Sequence, residues 1–124
     1  STMQFHETIK LAMKRELAEE CKLGRKFKQF DTKILGFYRA WNRGGKPEFS
    51  GITKTGKRFN DFSANKKELD KILPLGPIRK LDDIKSIIDE YFSSSFSSLP
   101  LNMNLFFLKK YIDDSENDLN WLIN

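Results

Sequence analysis

The chain has 124 residues and a formal net charge of +5, and 39% of its residues are hydrophobic, including eleven phenylalanines. This length suits one domain with a modest core, and the apolar content excludes a wholly disordered chain. Because no apolar run reaches about 18 residues, the sequence excludes a membrane-spanning helix.

The cysteine content and the charge indicate where this protein works and what it meets. Cys21 is the single cysteine, so the chain cannot form an internal disulfide, and we predict a cytoplasmic location. The positive charge is concentrated between Lys22 and Lys80 and favours anionic partners. We expect a nucleotide-like small molecule, place nucleic acid second, allow for a homo-oligomer and expect no membrane contact.

The first predicted element is a helix. Apolar residues recur at helical spacing, and neither proline nor glycine interrupts the segment from Glu7 to Leu23. The sequence therefore predicts a helix from about Glu7 to Cys21, stopped by Gly24.

A β-hairpin is predicted next. The stretches TKILGFYRAW and PEFSGITKT are rich in β-branched and aromatic residues, and they flank the sequence NRGGK. Ile34–Trp41 should pair antiparallel with Glu48–Thr53 through a turn in which Gly44 and Gly45 take positive φ. A phosphate-cradling loop is the alternative interpretation of RGGKP, and the turn is preferred.

Helical segments follow the hairpin. The stretch ANKKELDKIL, residues 64–73, is predicted to be a short helix ended by the prolines and glycine of PLGPI. A longer helix is capped near Asp82, and a last apolar stripe runs from Leu101 to Ile112. The chain is therefore predicted to be α+β, with a sheet of two strands that is thin for its class.

Three glutamates of the first helix, Glu16, Glu19 and Glu20, are spaced to share one face. Like charges at this spacing repel each other, so the helix gains no stability from them. A hard divalent cation such as Mg²⁺ or Mn²⁺ would offset the repulsion, because it prefers several carboxylate oxygens as ligands. The alternative is a solvated helix face whose charge is balanced by neighbouring basic residues.

The wider spacing resembles the Nudix box, G-x5-E-x7-R-E-U-x-E-E-x-G-U, in which U is aliphatic. The matching residues are Glu7, Arg15, Glu16, Leu17, Glu19, Glu20 and Leu23. Both glycines of the pattern are changed, because Ser1 stands at the first and Lys22 at the second. A lysine at the second position puts a Cβ on backbone that glycine can hold at positive φ.

The resemblance implies that Glu16, Glu19 and Glu20 bind Mg²⁺ or Mn²⁺ and are catalytic. It also implies that Arg15 belongs to the catalytic site and braces it through a carboxylate, with Glu7 as the expected partner. Members of this family hydrolyse nucleoside diphosphates linked to another moiety, by attack of metal-activated water on a phosphorus of the pyrophosphate. The implied fold is an α/β/α sandwich, of which this chain lacks the N-terminal strands.

The resemblance also divides the chain at about residue 60. Residues 1–60 are expected to be the second half of a Nudix-like domain, and residues 61–124 a C-terminal helical extension packed on it as one unit. The missing strands would leave a sheet edge whose unpaired backbone groups attract other chains. We expect a second copy of the protein, or the stripe from Leu101 to Ile112, to cover that edge.

The hairpin carries the second group of candidate residues. Arg39, Trp41 and Arg43 are predicted to bind substrate, the arginines through phosphate oxygens and the tryptophan by stacking on a nucleobase. Phe37, Tyr38 and Trp41 are all of the residue type that stacks on a nucleobase, and packing in the core is their alternative interpretation. We expect two of these three aromatic residues to be core residues.

Two functions from different classes follow from these features. The leading one is a metal-dependent Nudix-like hydrolase that cleaves a pyrophosphate bond in a nucleoside diphosphate-linked substrate. The rival is a non-catalytic Nudix-like module that binds nucleotides, nucleic acid or another protein and uses the basic hairpin. A small DNA-binding protein is ranked last, because no helix carries clustered basic side chains.

Overall fold

The computed structural model of the chain describes residues 2–67, 72, 76–92, 98–114 and 116–123. Within this part the chain forms four α-helices and a two-stranded antiparallel sheet, so the α+β class is confirmed. The helices are α1 (Thr2–Cys21), α2 (Leu81–Tyr91), α3 (Leu99–Asp113) and α4 (Asn120–Ile123), and the strands are β1 (Asp31–Ala40) and β2 (Lys46–Lys54). No helix of the described residues is long and apolar enough to cross a membrane.

The chain divides into two compact units. The first comprises Ser1–Ile34 and Ile52–Pro74, and the second comprises Leu35–Gly51 and Leu75–Asn124. The hairpin is therefore shared between them, with its base in the first unit and its tip in the second. The expected boundary at about residue 60 separates a box-containing part from an extension, and it stays a prediction.

The predicted hairpin is confirmed by contacts at both of its ends. Near the turn, the Gly45 N–H donates to the Ala40 carbonyl at 3.0 Å. At the base, the hydroxyls of Thr32 and Thr53 lie 2.7 Å apart. Together the two contacts fix the antiparallel register of β1 and β2.

The turn of the hairpin uses both glycines as predicted. Gly44 and Gly45 have φ of 75° and 74°, values that residues with a Cβ rarely adopt. One detail of the prediction is wrong, because Trp41 lies in a 3₁₀ turn, Trp41–Arg43, and not in the strand. The chain has already begun to reverse at Trp41, so this residue leaves the ladder of β1.

The first helix is confirmed, and it begins earlier than predicted, at Thr2. Residues 2–8 are all exposed, so α1 enters the core of the first unit only further along its length. Burial raises the pKa of the Cys21 thiol, and the charge of Glu20 adds to this effect. The buried core of the first unit is Ala18, Cys21, Leu23 and Phe30, against which Leu17, Phe27, Phe62 and Ile72 pack.

The end of α1 is a Schellman arrangement centred on Lys22. Lys22 follows the last helical residue and has a φ of 55°. The Leu23 N–H reaches back to the Ala18 carbonyl at 2.9 Å, and both residues belong to the core of this unit. Lys22 thus holds a left-handed conformation that costs a residue with a Cβ about 1–2 kcal/mol.

Replacing Lys22 with glycine should stabilise the protein by about 1 kcal/mol, because glycine adopts this conformation without the steric cost. Urea unfolding followed by circular dichroism measures the change. Lys26 is the matched control, since it is also an exposed lysine but has a φ of −88°. Lys26→Gly should not stabilise, and an equal gain in both variants would contradict the conformational explanation.

Backbone N–H groups that follow the hairpin in the sequence form hydrogen bonds with the last carbonyls of α1. The Ser63 N–H donates to the Cys21 carbonyl at 3.0 Å, and the Asn65 N–H donates to the Glu20 carbonyl at 2.7 Å. The last carbonyls of a helix have no partner within it, so these donors satisfy groups that would otherwise need water.

The helices of the second unit share one core. Its buried members are Ile84, Ile88, Leu105 and Ile112, against which Leu81, Tyr91, Leu101, Leu108, Leu119, Leu122 and Ile123 pack. Ser98 caps α3, because its hydroxyl accepts the Leu101 N–H at 3.4 Å, and Pro100 occupies the first turn. The predicted stripe from Leu101 to Ile112 is therefore confirmed as part of a helix.

The short helix predicted for residues 64–73 is not found where the chain is described. Residues 64 and 65 have no regular structure, residues 66–67 form a turn, and residue 72 is not helical. The remaining residues of that prediction lie outside the described part. At the start of this segment the Asn65 N–H donates to the Glu20 carbonyl at the end of α1. It is therefore not available for a hydrogen bond within a helix of residues 64–73.

The start of α2 is held by Asp83, one position after the cap predicted near Asp82. One carboxylate oxygen of Asp83 accepts the Arg79 N–H at 2.9 Å and the Lys80 N–H at 3.1 Å. The hydrogen bond from Arg79 is the first cause that lowers the pKa of Asp83, and the bond from Lys80 is the second. Both bonds favour the charged form of the carboxyl group.

The contribution of Asp83 to stability should depend on pH. A lowered pKa means that the stabilisation is present above the pKa of the unfolded chain, about 3.9, and is lost as the pH falls through the folded value. Asp83→Asn should therefore lower the melting temperature near pH 7 and have less effect at acidic pH. Asp82→Asn, next to it in the same first turn, controls for the loss of one negative charge. The same pH profile for both variants would contradict the role assigned to Asp83.

One face of the hairpin tip lies against α3. A Cβ placed on Gly36 would come within 2.4 Å of the Phe107 ring, so the ring occupies the space where a side chain would be. Glycine is therefore required at this position of β1 for close approach, although its φ is not positive. The contact places Phe107, which lies within the range Leu101–Ile112 of α3, against a face of the hairpin, and coverage of the sheet edge stays a prediction.

Candidate functional site

The three box glutamates lie on the second half of α1. Glu16 and Glu19 are exposed, and Glu20 is half-buried at the helix end. Among the described residues, no three side chains of histidine, cysteine, aspartate or glutamate are grouped so that they could hold a metal ion. Metal binding by these glutamates stays a prediction.

Arg15 and Glu7, the expected bracing pair, are separated by the helix itself. α1 is continuous through both residues, and eight residues of helix correspond to a rise of about 12 Å. The Glu7 carboxylate lies 3.7 Å from the Lys10 ammonium, at an exposed site where such a pair adds little stability. Arg15 is exposed, and its proposed role in catalysis stays a prediction.

Of the predicted binding residues, Arg39 lies on the face of β1 that does not meet α3, and Trp41 and Arg43 lie in the turn that follows. Along β1, Phe37 and Arg39 are exposed, whereas Gly36 and Tyr38 are half-buried and Ala40 is buried. Successive side chains of a strand point to opposite faces, so the face opposite Phe107 carries Phe37 and Arg39. We call this surface, with the Trp41 side chain that follows it, the outer face of the hairpin.

The expectation that two of the three hairpin aromatics are core residues is wrong. Phe37 is 59% exposed and Trp41 is 81% exposed, while Tyr38 alone is half-buried. The reason is that α3 contacts the face of Gly36 and Tyr38, so the alternate positions remain in solvent. Single exposed aromatic rings are normal on a protein surface, whereas several exposed rings close together form a candidate binding surface.

The position of the Trp41 ring is set by Gly45. A Cβ on Gly45 would lie 3.2 Å from Cζ3 and 3.4 Å from Cε3 of the indole, so the six-membered ring rests directly against the glycine. Gly45 is itself held, because its carbonyl accepts a hydrogen bond from Arg39 Nη1 at 3.0 Å. Arg39 therefore positions the turn beneath the indole.

The remaining charges at the tip are Arg43, Lys46 and Glu48. Arg43 Nη1 lies 3.2 Å from Glu48 Oε1, and Lys46 is exposed. The pKa of Tyr38 is raised first by burial and then by the charge of Glu48, and Arg43 partly opposes this. Between Leu35 and Gly51 the chain carries three basic residues and one acidic residue, so the tip is net positive.

The sequence offers stacking on a nucleobase for Phe37 only as one of two interpretations, and it does not identify Gly45 as the support of an aromatic ring. The signal for Phe37 is its alternation with Arg39, which puts both side chains on one side of β1. Its ring centroid also lies 5.9 Å from that of Phe49, which extends the aromatic surface. The contact of Gly45 with the indole is not visible in the sequence, because a sequence does not show which ring rests on a glycine.

A groove in the second unit was also not expected. It has a volume of about 390 Å³ and lies between α2 and α3, lined by Ile88, Asp89, Phe92, Leu105, Phe106 and Lys109. Its rim carries charges of both signs, so it favours neither anionic nor cationic ligands.

No protein-family model, curated protein or solved structure matches the chain. The functional assignment therefore rests on the geometry of the chain itself.

Proposed function

We propose that this protein binds nucleic acid or nucleotides through the outer face of its hairpin. The observation that carries the proposal is that Phe37 and Arg39 are exposed on β1 and Trp41 is exposed in the turn that follows, in a net-positive hairpin tip. Aromatic rings stack on nucleobases, and arginine and lysine side chains meet phosphate oxygens. Neither group alone would indicate this ligand, whereas exposed aromatic and basic side chains together at one hairpin tip support it.

Charge complementarity supports this ligand over an apolar partner. The acidic residue at the tip, Glu48, is paired with Arg43, and Lys46 adds a further exposed cation. The full chain also carries a net charge of +5, which attracts polyanions from a distance.

The test is binding of fluorescein-labelled oligonucleotides, both single-stranded and duplex, measured by anisotropy at two salt concentrations. Arg43→Ala/Lys46→Ala should weaken binding about tenfold and reduce the salt dependence, because phosphate contacts release counterions. The matched control is Arg25→Ala/Lys28→Ala, which removes two exposed cations from the first unit. Equal losses in both double variants, or no binding of either oligonucleotide, would overturn the proposal.

A second candidate function is the metal-dependent Nudix-like hydrolase on an α/β/α sandwich. The observation that favours it is the φ of 55° at Lys22, the position of the second glycine of the box. The backbone there has the conformation that glycine adopts most readily, and Glu16 and Glu19 are exposed on the preceding turns. Under this proposal Glu16, Glu19 and Glu20 would hold Mg²⁺ or Mn²⁺, which activates water and neutralises pyrophosphate oxygens.

Electron paramagnetic resonance during Mn²⁺ titration tests the second candidate. The unmodified protein should bind Mn²⁺ in the micromolar-to-millimolar range, and Glu19→Gln should weaken binding and abolish release of nucleotide from a nucleoside diphosphate-linked substrate. Glu90→Gln, an exposed glutamate of α2, is the control for charge. Unchanged turnover in Glu19→Gln, with matched thermal stability, would defeat the hydrolase and leave the binding module.

A further inference from the structure

We infer that the ligand of the outer face is single-stranded nucleic acid, with one unpaired base stacked on the indole of Trp41. This inference rests on the proposed function and narrows it to one class of nucleic acid. It depends on how the Trp41 ring is held, and not on the net charge of the tip.

The indole is supported from one side and open elsewhere. Its six-membered ring rests against Gly45, at 3.2 and 3.4 Å from the position of an added Cβ, yet the residue is 81% exposed. A ring that is free in solution would lose side-chain entropy on binding a base, whereas this ring already has a support. The exposed ring surface is thus available for stacking.

Gly45, the residue that supports the indole, is itself held by two hydrogen bonds. The Gly45 N–H donates to the Ala40 carbonyl at 3.0 Å, and the Gly45 carbonyl accepts from Arg39 at 3.0 Å. This arrangement leaves the other N–H groups of the Arg39 guanidinium beside the turn, where a phosphate next to a stacked base would pass. Arg39 therefore acts as a positioning residue for the ring, with donors to spare for phosphate.

Phe37 provides a second aromatic position along the same face. It is 59% exposed, and its ring is tilted by 35° against that of Phe49. Two exposed aromatic positions, one on β1 and one in the turn that follows it, suit a chain of bases better than a mononucleotide, which offers one base. Each stacked base contributes about 5- to 150-fold in affinity.

A duplex cannot use these rings in the same way. Its bases stack on each other and present only their edges and the phosphates, so an exposed aromatic ring gains little from it. Single strands expose the faces of their bases. The hairpin should therefore prefer a single strand, although its cations alone attract both forms.

The decisive experiment compares alanine at two neighbouring glycines. Gly44 and Gly45 both have positive φ, so Gly44→Ala and Gly45→Ala carry similar backbone strain. An added Cβ at Gly44 has nothing within 4 Å, whereas one at Gly45 meets the Trp41 ring. Any difference between the two variants therefore reports on the position of the indole.

Affinities are measured by anisotropy for a labelled mixed-sequence single-stranded 12-mer, for the duplex of the same sequence, and by competition with inorganic polyphosphate. We expect the single strand to bind at least about tenfold more tightly than the duplex. Gly45→Ala should weaken single-strand binding at least about fivefold more than Gly44→Ala, with equal effects on polyphosphate.

Substitutions of the rings themselves complete the test, because these exposed side chains can be removed without disturbing a core. Trp41→Ala should weaken single-strand binding about 5- to 150-fold, and Trp41→Phe should retain most of the affinity. Phe37→Ala should also weaken it, whereas Phe5→Ala, which removes an equally exposed phenylalanine (59%) from α1, should not.

The outcomes separate this inference from the proposed function. Equal affinity for single strand and duplex, unaffected by Trp41→Ala, would overturn the stacking inference and leave binding through cations alone. Absence of binding to both oligonucleotides would overturn the proposed function as well. Self-association of the unmodified protein that Trp41→Ala abolishes in sedimentation experiments would also overturn the inference, because a second copy would then cover the ring.

Discussion

Replacing Leu105 with alanine should lower the free energy of unfolding by about 2–5 kcal/mol. Leu105 is 5% exposed on α3 and lies in the buried cluster with Ile84 and Ile88 of α2. Truncation removes apolar contacts and leaves a cavity that the surrounding helices fill only in part. Because the total stability of a domain is about 5–15 kcal/mol, urea unfolding should show a large shift of the midpoint.

Leu99 provides the control for Leu105. It is a leucine of the same helix but is 50% exposed, so Leu99→Ala leaves no comparable cavity. We expect a loss below about 1 kcal/mol for this variant. Similar losses for both substitutions would show that α3 does not bury Leu105 against α2.

Replacing Gly36 with alanine should destabilise the protein by about 1–3 kcal/mol, although alanine is otherwise favoured over glycine in a strand. The added Cβ would lie 2.4 Å from Cδ1, 2.6 Å from Cε1 and 2.8 Å from Cγ of Phe107. The ring and the Cβ cannot share this space, so the Phe107 side chain, β1 or α3 must shift. Circular dichroism and urea unfolding measure the loss.

A double-mutant cycle with Phe107 isolates this contact. In a Phe107→Ala background the space is empty, so adding Gly36→Ala should be neutral or stabilising. The sign of the Gly36 effect should therefore reverse between the two backgrounds. If Gly36→Ala destabilises both equally, its effect comes from the backbone and not from the ring.

The hairpin shows which features of the fold could be predicted from the sequence alone. Alternating β-branched and aromatic residues around Gly44 and Gly45 were sufficient to predict the two strands and their turn, because both patterns are local. The covering of the strands was not predictable, since alternation defines two faces without showing which of them meets a helix. The contact between Gly36 and Phe107 decides this, and it joins residues far apart in the chain.

The candidate sites show the same limit. Helical spacing correctly predicted that Glu16, Glu19 and Glu20 lie on a helix, but a metal site also needs the right distances between carboxylates, which spacing does not give. Arg39 and Trp41 were predicted as binding residues from their type. The role of Gly45 as the support of the indole required the structure, because it depends on the rotamer of Trp41.

The hydrogen bonds from Ser63 and Asn65 to the end of α1 have a consequence for the order of folding. These donors lie beyond the whole hairpin, so the last turn of α1 cannot obtain them until the chain has passed through β1 and β2 and returned. Such long-range closure slows folding relative to a helix that completes itself locally. On a ribosome, the first helix would therefore emerge with an unfinished end and would be completed only after the strands had been synthesised.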